Sequence, residues 1–255
     1  WRDRDGSDNA TDLSGAGSPA RDRPGGSVVT GRERILVGVD DSVEAGTVVR
    51  WAARLAAAMD AEVVLVGVWL ASPEVEPTEI HEETLVERRD RLARLWEREV
   101  RAEGVPVRGE VFEGDPREVL LEVAEGEDVD LIVVGRAGSE GEEPGFLHIG
   151  SVVEYLAHSS TRPLAVIPPD SSSAPPSRVL VGVDGSAASA AAVRWCADHA
   201  RGLHPEVTAV NVQSPGHERS PDGTPDDWLH FVETQKVPDW TDPIARAGSS
   251  VNPVA

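Results

Sequence analysis

The sequence predicts an open parallel α/β sheet, and three observations carry that prediction. Short apolar runs without polar alternation, the first being Ile35 to Val39, are of the kind buried on both faces in a parallel sheet. Segments of helical periodicity separate these runs, so strands and helices alternate along the chain. From residue 178 the pattern starts again, 144 residues beyond its first appearance.

Residues 1–30 are rich in Asp, Arg, Gly, Ser and Pro and have too few apolar side chains to offset the entropy of ordering, so a disordered tail is expected there. The first strand is ILVGVD from Ile35. Asp41 and Glu44 stand at capping-box spacing ahead of a helix whose inner face is Val48, Ala52, Leu55, Ala56 and Met59. Val63 to Trp69 is the second strand. A long charged helix over about 80–103 follows, with Leu85, Leu92, Trp96 and Val100 as its stripe. The third strand runs from about Val105 to Phe112. Asp115, Pro116 and Glu118 then give the N-cap, first-turn proline and acidic signals of another helix, with Val119, Leu120 and Val123 inward. Leu131 to Val134 is the fourth strand, Ser151 to about Ser159 the last helix, and Leu164 to Ile167 a fifth strand ended by Pro168 and Pro169.

The restart is an internal duplication. At a shift of 144, Ile35 to Asp40 falls on Val179 to Asp184, Ser42 on Ser186, and Val49-Arg50-Trp51 on Val193-Arg194-Trp195. Trp96 falls on Trp240, Gly104 on Gly248 and Val107 on Val251. The expected organisation is a tail over 1–30, a complete domain over 31–170, a linker over 171–177 and a partial second copy over 178–255. That second copy stops in its third strand, without counterparts of residues 112–169. Such a stop is expected of a longer chain cut short, as is a sequence that begins at Trp1 and has Met59 as its one methionine.

Composition excludes several functions. With 45 acidic against 24 basic residues the formal net charge is -21, which repels nucleic acids and anionic membranes. No run approaches the roughly 18 apolar residues of a membrane helix. Lys236 is the one lysine, which argues against Schiff-base or lysine-gripped phosphate chemistry. A single cysteine, Cys196, leaves no internal disulfide and reads as a buried thiol. The seven histidines show no metal-binding spacing, and no secretory signal is recognisable in residues 1–30, so a cytoplasmic location is expected.

Ligands of open parallel sheets sit outside the carboxyl ends of the strands, where strand order reverses. Three features of the first copy collect there: Asp40 ending strand one, Val68 near the end of strand two, and a glycine-rich segment after strand four. That segment runs Gly135-Arg136-Ala137-Gly138, then eleven residues, then Gly150-Ser151-Val152 opening a helix. Glycines let backbone approach a phosphate, and the N–H groups of Gly150, Ser151 and Val152 with the helix dipole would hold its oxygens. The residues thus describe a phosphate site without a lysine. Each also has a plainer reading: Asp40 as a helix cap, Gly135 and Gly138 as a tight turn, Trp51 and Trp195 as packing.

The openings ILVGVDDS and VLVGVDGS, the VVGRAG turn and the ending GSVVEYLAHSSTRPLAVIPP resemble the universal stress protein family, over about residues 33–255. The resemblance implies strand order 3-2-1-4-5 and ATP or a related adenine nucleotide, with or without Mg2+, as ligand. On that pattern Asp40 and Val68 match positions that contact adenosine, Gly135 and Gly138 the turn around ribose and phosphates, and Gly150, Ser151 and Val152 the phosphate-binding helix start. It also implies that strand five joins copies or subunits; because the partial second copy offers no fifth strand, Leu164 to Ile167 is expected to pair with that of another chain, giving a homodimer. Asp184 matches Asp40 but lacks a phosphate loop, so no nucleotide is expected there.

Two departures stand out. Eleven residues replace the family's nine between the second and third glycines, and they include Glu140, Glu142 and Glu143. Each carboxylate ~8 Å from a phosphate opposes it by roughly 0.5 kcal/mol in a water-like dielectric. Arg136 is the one basic residue the sequence places near the site, and no general base is evident, so hydrolysis is expected to be slow at most. A response-regulator receiver domain would need a lysine after strand five, where Ile167 meets Pro168, and a dinucleotide oxidoreductase would need Gly-x-Gly-x-x-Gly after strand one. Two classes remain: a nucleotide-binding stress-response regulator, and a protein-interaction module of the same fold that binds no nucleotide.

Overall fold

Parallel pairing of the apolar runs builds a central sheet, seen in a computed structural model that describes residues 21–22, 28–29, 32–40, 42, 44–69, 79–136, 149–172, 174–203, 205–211, 242–244, 246 and 251–254. Residues 1–32 and 33–255 form separate units. In the first, Arg21–Asp22 pairs antiparallel with Val28–Val29; the rest of the expected tail lies outside the described residues.

In the second unit the elements are β1 (Arg34–Val39), α1 (Ala45–Met59), β2 (Glu62–Trp69), α2 (Glu79–Leu92), a π-helical turn (Ala93–Glu97), α3 (Arg98–Ala102), β3 (Val107–Glu113), α4 (Pro116–Gly126), β4 (Leu131–Gly135), α5 (Ser151–Ser159) and β5 (Leu164–Ile167). The five strands are parallel in the order β3-β2-β1-β4-β5, the expected 3-2-1-4-5. Successive apolar residues are needed because both faces are covered. Ile35, Val37, Val63 and Leu65 pack under α1 and the α2 side through Val48, Ala52, Leu55, Leu92 and Val100. Leu36, Val64, Val66 and Ile132 pack under α4 and α5 through Leu120, Ala124, Val153 and Leu156.

The single long helix expected over about 80–103 is interrupted. On an unbroken α-helix Leu92 and Val100, eight residues apart, would point about 80° away from each other. The wider π turn brings them into phase, and both are buried. Of the expected stripe, Trp96 is half-buried, and the side chain of Leu85 lies outside the described residues. Leu92 also fixes the height of the helix above the sheet. A Cβ on Gly67 would stand 3.1 Å from its Cδ1, and one on Gly109 would overlap its Cδ2, so these two strand glycines make room for its side chain.

The later residues form β6 (Arg178–Gly182), α6 (Ala187–Leu203), β7 (Glu206–Val210) and β8 (Val251–Val254), a parallel three-stranded sheet in the order β8-β7-β6. Its register repeats that of the first sheet: Arg34 lies opposite Glu62 as Arg178 lies opposite Glu206, and Val63 opposite Val107 as Val207 opposite Val251. One face is packed, with Val181, Val183, Val193, Ala197, Val207, Ala209 and Ile244. On the other, Leu180 is 70% exposed whereas its counterpart Leu36 is 0% exposed. Helices α4 and α5 cover Leu36, and among the described residues no helix covers Leu180.

Trp51 and Trp195 pack as the sequence indicates. Trp195 and Leu203 of α6 lie against the first core beside Trp51. His199 stacks on Trp195 at 4.2 Å between ring centroids, and its Nε2 stands 3.6 Å from Glu33 Oε1.

The paired positions give a test of which sheet face holds the fold. Leu36→Ala should cost about 2–5 kcal/mol, the range for a fully buried leucine, while Leu180→Ala should stay within about 0.5 kcal/mol. Urea unfolding followed by circular dichroism measures both.

Candidate functional site

The carboxyl ends of β1, β2 and β4 open into a groove of about 1040 Å³. Asp40, Val68, Gly135, Gly150, Ser151 and Val152 all line it. The structure therefore gathers six of the seven sequence-selected positions in one place. The seventh, Gly138, lies outside the described residues, as do Glu140, Glu142 and Glu143.

Asp40 leaves β1 in a tight turn. Its Oδ1 accepts a hydrogen bond from the Ser42 N–H at 3.0 Å, and the Ser42 hydroxyl accepts one from the Ala45 N–H at 3.2 Å. The start of α1 is thus held by Ser42, while Asp41 of the expected capping box lies outside the described residues. Ser42 succeeds because its short hydroxyl reaches the first helical N–H from the turn that Asp40 closes. The same turn recurs in the second copy. Asp184 Oδ1 accepts from the Ser186 N–H at 2.8 Å, and Ser186 Oγ accepts from the Ser189 N–H at 3.1 Å. The turn is therefore an element of the fold in its own right, and Asp40 carries a structural duty besides its place in the groove.

Three helix N-termini face the groove, and two are closed by their own side chains. Ser42 serves α1. At α4, Asp115 accepts from the Arg117 N–H at 2.9 Å and also holds the Arg117 guanidinium. That guanidinium keeps the Asp115 carboxyl below the usual carboxylate range. Helix α5 differs: its N-cap is Gly150, in extended conformation, and no side chain caps it. Its first-turn N–H groups face the groove at the positive end of the helix dipole, the arrangement that attracts an anion.

The loop ahead of α5 is closed at its base. Arg136 donates its N–H to the Ile167 carbonyl at 3.1 Å and accepts from the Gly150 N–H at 2.9 Å. The end of β4, the end of β5 and the start of α5 are thereby tied together.

Sequence reasoning missed one wall. Trp69, Arg88, Arg91, Leu92 and Trp96 also line the groove, with Arg117 on the α4 side. Arg136 is therefore not the one basic residue near the site: three further arginines border it. The helical stripe pointed to Leu92 and Trp96 as core residues, but Arg88 and Arg91 belong to a charged helix and have no local signature. Only the height at which Leu92 seats α2 brings them to the end of β2. Among the described residues no group of three or more His, Cys, Asp or Glu is placed to hold a metal. Cys196 is half-buried, and burial raises its thiol pKa. No described helix is long and apolar enough to cross a membrane.

Comparison with known proteins agrees with this architecture. The model of the universal stress protein family matches residues 31–168 and again 176–236. A universal stress protein of Mycolicibacterium smegmatis is 31% identical over 191 residues, covering 70% of this chain and 63% of that protein. One from Mycobacterium tuberculosis is 32% identical over 195 residues, covering 71% and 63%. The chain thus spans about 63% of the length of these curated relatives. A universal stress protein structure from Archaeoglobus fulgidus aligns with a TM-score of 0.64 at 17% identity, over 86% of this chain and 76% of that one, which supports the fold.

The twin turns provide a pH prediction. The hydroxyl and N–H of Ser186, with the hydroxyl of Ser189, lower the Asp184 carboxyl from 3.8 to about 2. A depressed carboxylate stabilises the fold above its unfolded pKa, so this contribution is whole above 3.8 and lost as pH falls through about 2. Carboxyl NMR titration should place the Asp184 midpoint at about 2, and Ser186→Ala should return it toward 3.8.

Proposed function

The chain belongs to the universal stress protein family, and from that premise we propose that its first copy binds ATP or a related adenine nucleotide as a stress-response regulator. The observation that carries the reading is the uncapped start of α5 opening into the groove that also holds Asp40 and Val68. The phosphates would lie on the N–H groups of Ser151 and Val152, with the ribose by Gly135 and Gly138 and the base by Asp40 and Val68. The Gly150 N–H, expected from the sequence to join the phosphate donors, is given to the Arg136 carbonyl, so Gly150 would contribute only close backbone approach. Helix dipole and backbone donors replace the lysine that other phosphate sites use. Mg2+ would be carried in with the nucleotide.

This reading makes the nucleotide a signal held by the protein rather than a substrate turned over quickly. Asp40 holds its turn, and Asp115 holds both a helix cap and Arg117, so neither acid is poised as a general base. The second copy repeats the Asp184 turn, but among its described residues there is no counterpart of α5, and we assign it no nucleotide. The protein is read as a cytoplasmic tandem member of the family. Strand β5 pairs with β4 alone among the described strands, and its outer edge is proposed to pair with another chain in a homodimer.

Titration with a fluorescent ATP analogue, with and without magnesium, should show saturable binding below millimolar concentration that Gly138→Trp abolishes. No binding at millimolar nucleotide would overturn the reading, and binding that survives Gly138→Trp would overturn the placement of the site. Light scattering at micromolar concentration should give twice the chain mass; a monomer throughout that range would remove the β5 dimer.

A further inference from the structure

If the groove holds a nucleotide, its base needs a surface to lie on, and helix α2 supplies one that the family resemblance did not indicate. Trp69 ends β2, directly after Val68, and lines the groove. The guanidinium carbon of Arg88 sits over its indole, 3.0 Å from the ring centroid. We propose that Arg88 is the stacking platform for the nucleobase, its guanidinium plane lying between the Trp69 indole and the purine.

The position of Arg88 is set by packing. Leu92, four residues on, occupies the space left by Gly67 and Gly109. Residues at that spacing share a helix face, one turn apart. Arg88 is therefore delivered to the end of β2 by the same contact that seats the helix, and its guanidinium carbon rests over the indole. A guanidinium stacks on an aromatic ring through one face and can receive a second planar group on the other. Purines stack readily on arginine planes.

The place in the groove also fits a base rather than a phosphate. In the order β3-β2-β1-β4-β5, the end of β2 is two strand spacings from the end of β4, about 10 Å. The α5 N-terminus lies on the β4 side, tied to Arg136. A nucleotide with its phosphates on α5 would run across β1, past Asp40, and bring its base to Val68, Trp69 and Arg88. Arg117, the arginine on the α4 side, is held by Asp115 and stands 5.9 Å from the Tyr155 ring centroid, without the close ring contact that Arg88 makes.

The proposal rests on the nucleotide reading of the groove, and the experiment separates the two. Affinities of the full chain for adenosine and for ATP are measured by competition against the fluorescent analogue, for the unaltered protein and for Arg88→Gln and Arg88→Lys. Stacking predicts that each substitution weakens adenosine and ATP by the same factor, about tenfold, because lysine keeps the charge but not the plane. Weakening of ATP with adenosine unchanged, or full affinity in Arg88→Lys, would make Arg88 a phosphate-directed charge and overturn the proposal. Unchanged affinity for both ligands in both variants would also overturn it. An unaltered protein that binds neither ligand would instead refute the nucleotide reading itself.

Discussion

The hydrogen bond from the Gly150 N–H to the Arg136 carbonyl is the constraint on which the site depends. It closes the base of the glycine-rich loop and fixes where α5 begins relative to the end of β4. Because Arg136 also donates to Ile167 at the end of β5, the junction is anchored to two strands of the sheet. An uncapped helix start is an anion site only if it is held still against the rest of the pocket. Here the start of α5 is held by backbone groups, so an acidic chain with one lysine needs no charged side chain to keep it in place.

The same junction changes the meaning of the long acidic loop. From sequence, the loop is two residues longer than the family's and carries Glu140, Glu142 and Glu143. In the folded chain Arg136 and Gly150, which bracket the loop, are bonded to each other. What the loop contributes is charge. Three glutamates at ~8 Å would together oppose a phosphate by roughly 1.5 kcal/mol in a water-like dielectric. The arginines lining the groove act in the opposite sense: Arg88 and Arg91 come from α2, Arg117 from α4, and Arg136 from the base of the loop.

Much of the fold was legible in the sequence because the parallel sheet imposes a pattern on every residue of each strand. Ile35 to Val39 reads as buried on both faces, and so it is in the first copy. The sheet order could not be read from those runs and came from the family resemblance. Six of the seven candidate site residues line one groove, since strand ends and helix starts are marked locally by Asp, Gly and Ser. Three things were not legible. The π turn at Ala93–Glu97 answers a phase mismatch between Leu92 and Val100 that only a sheet in place reveals. The cap of α1 falls to Ser42 because Asp40 bends the chain first. Arg88 and Arg91 reach the groove through the seating of Leu92 on two glycines from neighbouring strands, a tertiary fact with no signature in a charged helix.

The central claim is that the first turn of α5 holds the phosphates of a bound nucleotide, and backbone amide NMR tests it most directly. On addition of ATP, the amide resonances of Ser151, Val152 and Val153 should shift strongly, while adenosine at equal saturation should leave them near their starting positions. Equal shifts with adenosine, or shifts that bypass α5 while ATP binds elsewhere, would contradict the account.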